Sequence, residues 1–154
     1  MPPAPDPETY WDLIERAFDA VSIYDGPEVY DEQVAAYPEP IRHLLAAHWC
    51  YSEVYNGGFW QFFGNSTGVL AHDAVAGFRA LGLDDLAAIL EEAMSRLPAP
   101  YPRDVMDREE VLGPDRRDER IRFDDLDDRF FAALGDGSPD RFQAAANAYA
   151  AKHR

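Results

Sequence analysis

Apolar side chains recur at three- and four-residue intervals along most of this 154-residue chain, and no segment alternates convincingly one in, one out. A strand needs the two-residue period and a helix the 3.6-residue one. The pattern therefore predicts an all-α fold, a compact single-domain bundle of about six to eight helices.

The helices can be placed from their stripes and punctuation. Asp6-Pro7 predicts an N-cap followed by proline at the first helical position. Trp11, Ile14, Phe18 and Val21 then form an apolar stripe running to about Tyr24, where Asp25-Gly26-Pro27 stops it. A short helix is expected from Glu28 to Ala36. Ile41, Leu44, Leu45, His48, Trp49 and Ser52 mark a helix beginning near Pro40. Asn56-Gly57-Gly58 interrupts it, and a further turn or two, Phe59 to Phe63, follows. Leu70, Ala74, Phe78 and Leu81 mark the next helix. Leu86, Ile89, Leu90, Ala93 and Leu97 mark the one begun by Asp84. Phe123 to Leu134 and Pro139 to about Lys152 close the chain, the last capped by Ser138-Pro139 on the logic used at Asp6-Pro7. The whole of 1–154 reads as one helical domain. Residues 1–6 read as a disordered tail and 98–122 as an irregular Pro/Arg-rich loop, exposed and mobile.

Composition narrows the function. No apolar run approaches the 18 or so residues of a membrane span, and the first residues lack the basic and apolar regions of a secretory signal. A single cysteine, Cys50, forbids an internal disulfide, so a cytoplasmic location is expected. The chain holds 29 acids against 14 bases, a net charge of −15. Such a field repels nucleic acid and anionic membrane and attracts cationic proteins. The bases are nearly all arginine, and alanine, aspartate, glycine and proline are abundant, which fits a GC-rich genome and makes total charge alone weak evidence.

Placement of the charge says more. Residues 1–40 carry ten acids and one base, Arg16, whereas residues 41–68 carry one of each. In the first helix Glu8, Asp12, Glu15 and Asp19 fall on one face. Helical neighbours of this kind stand about 5–6 Å apart at Cβ, and a DNA strand sets a phosphate about every 3.4 Å of axis. The row is thus a candidate imitation of a few phosphates, which Asp31, Glu32 and Glu39 would extend. Asp124, Asp125, Asp127 and Asp128 are further candidates. The competing reading is a solvated face, with the first-turn acids favoured by the helix dipole.

The chemistry of catalysis is missing. His43 and His48 are five apart and misaligned on a helix. There is no HExxH, CxxC, GxSxG or Walker loop. No metal site, no cofactor and no catalytic group is expected. His48 and Cys50 read as buried core.

Residues 53–68 carry the densest motif. Asn56-Gly57 can close a helix, Gly58 lets two helices approach closely, and Phe59, Phe62 and Phe63 supply core area. Glu53, Gln61 and Asn65 could line a polar pocket or satisfy backbone groups at the break. The run Asn56, Gly57, Gly58, Phe59, Gln61, Phe62, Phe63, then Asn65 and Gly68, resembles the DNA-mimic-protein-like family of small bacterial proteins, over most of 10–150. The resemblance implies an all-helical fold. It also implies a role in which a negative surface occupies the DNA site of a transcription factor. The motif is nearly neutral and is expected to fix the fold rather than form that surface.

The favoured reading is a non-catalytic acidic binder, dimeric, that regulates transcription by mimicking DNA toward a basic DNA-binding protein, with no direct nucleic-acid contact. The alternatives are a small-molecule binder or enzyme using the motif pocket, and an immunity or antitoxin-like protein.

Overall fold

A computed structural model describes residues 9–114 and 120–154. Glu8 and the expected Asp6-Pro7 start lie outside the described residues. The fold is all-α. Its helices are α1 (Trp11–Ala20), α2 (Pro27–Val34), α3 (Glu39–Gly64), α4 (Ala71–Ala80), α5 (Asp84–Ser95), α6 (Val105–Leu112), α7 (Asp124–Leu134) and α8 (Arg141–Lys152), with a 3-10 turn at Ser66–Leu70. There is no strand among the described residues.

α3 is the spine, packing against α1, α4, α6, α7 and α8. Its stripe explains why: Leu44, Leu45, Cys50, Val54, Phe59, Phe62 and Phe63 are all fully or almost fully buried. Each buried phenylalanine contributes about 2–3 kcal/mol by area, so the three aromatics of the motif are structural capital. Phe59 and Phe63 meet Phe123, which precedes α7, and Phe59 also meets Phe130 of α7 edge-on. Phe78 of α4 and Phe142 of α8 close the other side.

The first and last helices are joined. The Tyr10 backbone N–H donates to Asn147 Oδ1 at 2.8 Å, and the Tyr10 ring meets Phe142 edge-on. Beside them Trp11, Phe18, His48 and Trp49 form an aromatic group. His48 Nδ1 lies 2.8 Å from the Tyr10 hydroxyl, and burial pushes its pKa down to about 4. His48 is thus a satisfied neutral group of the core.

The structure departs from expectation in three places. α1 ends at Ala20 rather than Tyr24, because Val21 is extended (φ −87°, ψ 118°) and Gln33 of α2 captures the Ser22 N–H. The stretch 98–122 is not all irregular: Val105–Leu112 is helical, capped by the Asp104 side chain on Met106 N. The last helix is capped not by Ser138 but by Asp140, in a reciprocal capping box with Gln143.

Candidate functional site

The motif builds a bend. Gly57 (φ −153°, ψ 17°) and Gly58 (φ +75°, ψ −178°) break the helical backbone inside α3. Gly58's conformation is open essentially to glycine alone. The bend frees backbone N–H groups at the start of the second half. One is taken by a neighbour far along the chain: Phe59 N–H donates to Asp127 Oδ1 at 2.8 Å. Asp127 is buried in α7 and acts as a long-range N-cap. A Cβ at Gly58 would stand 2.4 Å from Asp127 Oδ2, so the glycine and the carboxylate require each other.

The motif's polar residues gather across the same bend. Gln61 Nε2 and Asn65 Nδ2 both donate to Glu53 Oε2, at 2.8 and 3.0 Å, and Asn56 Nδ2 reaches Gln61 Oε1 at 3.4 Å. Gly57 carries no side chain where Gln61 folds back. These groups spend their hydrogen bonds on one another. None of the four clefts described for the molecule is lined by Glu53, Asn56, Gln61 or Asn65.

The end of the motif is held by Arg108, which α6 inserts into the interior. Arg108 is completely buried. Its guanidinium donates to the carbonyls of Phe63 (2.8 Å), Asn65 (3.0 Å), Pro102 (3.1 Å) and Arg103 (2.6 Å). The first two lie at the C-terminal end of α3, where helical carbonyls lack intrahelical donors and cations are favoured. Gly68 faces this group: a Cβ there would stand 2.6 Å from Arg108 Nε. The Tyr101 hydroxyl adds a 2.7 Å bond to the Gly68 carbonyl. Desolvation lowers the Arg108 pKa from its ordinary value, and the carbonyl cage offsets part of that cost.

The acidic candidates divide. Asp12 is engaged by Arg154, with nitrogen–oxygen distances of 2.9 and 3.1 Å, and Asp31 by Arg103 with two of 2.8 Å. The Arg103 guanidinium holds the Asp31 carboxyl below its ordinary pKa. Glu39 sits 3.5 Å from the His43 ring. Glu15, Asp19 and Glu32 are exposed and have no basic partner among the described residues. Glu28, on α2, shares that situation. Elsewhere the arginines turn to nearby acids: Arg79 to Glu91, Arg96 to Asp125, Arg129 to Glu92 and Arg141 to Asp85.

Two decisive residues escaped the sequence reading, and both had a signal. Asp127 falls on the apolar stripe of Phe123, Phe130 and Leu134, unlike Asp124 and Asp128. Arg108 stands four residues before Leu112, inside a stretch whose alternating charges look solvated. No group of three or more histidine, cysteine, aspartate or glutamate residues placed to hold a metal occurs among the described residues. Cys50 is fully buried and its thiol pKa is raised by burial. No helix of the described residues is long and apolar enough to cross a membrane.

A bent, aromatic helix tied down by a buried carboxylate on one side and a buried guanidinium on the other defines a helical scaffold with a neutral centre. The chain belongs to the DMP19-like protein family, whose sequence model matches residues 35–153. The family takes its name from a DNA mimic protein, so its members are associated at family level with binding DNA-binding proteins. No curated protein and no solved structure shows a significant match. The matched span contains the motif, Arg108 and Asp127. Of the acidic candidates on the first three helices it contains only Glu39.

Proposed function

We propose that the protein is a non-catalytic DNA mimic whose acidic face, centred on Glu15, Asp19 and Glu32, occupies the DNA-binding groove of a basic regulatory protein. One observation carries the reading. Glu15, Asp19 and Glu32 are exposed and form no ion pair among the described residues, and Arg16 is the one base beside them on α1 and α2, whereas Arg79, Arg96, Arg129 and Arg141 of the later helices are turned to acids and Arg108 to the interior. Family membership supports the same class of partner. Asp12 and Asp31, on the same two helices, are paired with Arg154 and Arg103.

A carboxylate row recognised by lysines and arginines binds through screened electrostatics, so affinity falls steeply as salt rises. The test is affinity capture of DNA-binding proteins at low and high salt, with duplex DNA as competitor. Capture is expected at low salt, with loss at high salt and loss to added duplex. Glu15→Lys, Asp19→Lys and Glu32→Lys together should abolish it. Undiminished capture by that triple variant would reject the face.

A further inference from the structure

Of the four clefts described, one is lined by carboxylates and aromatic rings with no arginine, lysine or histidine. It holds about 590 Å³ between the first half of α3 and the loop joining α7 to α8. Its lining includes Tyr51, Tyr55, Phe131, Asp136 and Asp140. The other three clefts each include an arginine: Arg120, Arg79 or Arg42.

The rings are unusual for their exposure. Tyr55 is 62% and Phe131 40% exposed, among the few large apolar side chains on the surface. They are paired, with centroids 5.9 Å apart and planes at 66°, and Tyr51 lies 5.8 Å from Tyr55. The Tyr51 hydroxyl donates to Asp140 Oδ2, whose Oδ1 accepts from Gln143 N–H. Asp140 is buried, and its carboxyl oxygens have lone pairs beyond those two bonds. Asp136 is exposed, with no basic partner among the described residues.

Exposed ring faces beside unneutralised carboxylates attract a cation with a flat, weakly hydrated surface. A guanidinium fits better than an ammonium, since it stacks on a ring while its edge donates to carboxylates. We propose that this cleft takes an arginine side chain of the basic protein partner, as a second anchor beside the acidic face. The assignment rests on the DNA-mimic reading and names a contact that phosphate mimicry alone does not supply. Tyrosine and arginine are also the residues over which binding energy concentrates at protein interfaces.

The test uses the full chain, titrated in two-dimensional NMR with an arginine–glycine repeat peptide, its lysine counterpart and its neutral citrulline counterpart. The arginine peptide should shift the resonances of Tyr55, Phe131 and 135–138, the lysine peptide less, and the citrulline peptide little. Tyr55→Leu with Phe131→Leu keeps apolar bulk and removes the ring faces, and should weaken arginine-peptide binding about tenfold. Unchanged affinity in that double variant, or an equal response to the citrulline peptide, overturns the assignment. The leucine variants leave Glu15, Asp19 and Glu32 in place. Partner capture that survives the leucines but not the charge reversals therefore removes the cleft alone.

Discussion

The bend in α3 and the exposed acids of α1 and α2 are built on opposite terms. At the bend the polar groups are tied down within the molecule: Asp127 caps Phe59, Glu53 gathers Gln61 and Asn65, and Arg108 closes the end on four carbonyls. On α1 and α2, Glu15, Asp19 and Glu32 satisfy nothing inside the molecule. The family match follows the same division, holding the bend and omitting the first 34 residues. A residue locked into its neighbours cannot be exchanged singly, whereas an exposed carboxylate can. The family model thus covers the bend and its anchors and leaves out α1 and α2.

The sharpest way to break this contrast is at Gly58. Gly58→Ala adds a side chain in a glycine-only conformation and drives it toward the Asp127 carboxylate. We expect a loss of about 4–5 kcal/mol, enough to threaten the folded state of a domain this size, read by urea unfolding. Arg108→Ala removes the donor from four carbonyls and leaves a cavity, for about 3–4 kcal/mol. A loss under about 1 kcal/mol would show the cage to be incidental.

His48, partly buried among the rings of Tyr10, Trp11 and Phe18, gives a pH readout of that packing. Its pKa is lowered from 6.5 to about 4 in the fold, so the unfolded chain takes up the proton first as pH falls. The stabilisation is whole above pH 6.5 and is lost on descending toward pH 4, amounting to about 3 kcal/mol. His48→Gln should lose correspondingly less stability over that window in paired denaturant melts. Equal pH slopes in the two proteins would contradict a neutral buried imidazole.

The smallest expected effect lies on the other region. Glu15→Lys, Asp19→Lys and Glu32→Lys should each change stability by under about 0.5 kcal/mol, while together they eliminate partner capture. A large stability loss there would mean that these acids have internal work after all.

The helices were largely readable because their apolar period is physically compulsory: Leu44, Leu45, Phe78 and Leu86 are inside for the reason that predicted them. The bend was readable as an interruption, since Asn56-Gly57-Gly58 cannot continue a helix cheaply. Its meaning was not, because Asp127 lies 68 residues away from Phe59 and nothing local reveals which of several aspartates turns inward. Arg108 was hidden more completely. Its burial depends on a space over Gly68 and on the carbonyls of Phe63 and Asn65, more than 40 residues away, and a run rich in both signs of charge looks solvated. The cap at Asp140 was misplaced because Ser138-Pro139 offered the familiar cue two residues early, while the Asp140-Gln143 spacing carried the true signal. The pairing of Asp12 and Asp31 with arginines 142 and 72 residues away is tertiary and invisible to charge counting.

The buried carboxylate at the bend bears on how the surface should be mapped. A scan that swaps aspartates for lysines one by one treats them as interchangeable, yet two buried ones, Asp127 and Asp140, hold helix beginnings in place. Variants at those positions would fail to bind because they had come apart, and a survey scored on binding alone would draw its epitope through the middle of the protein.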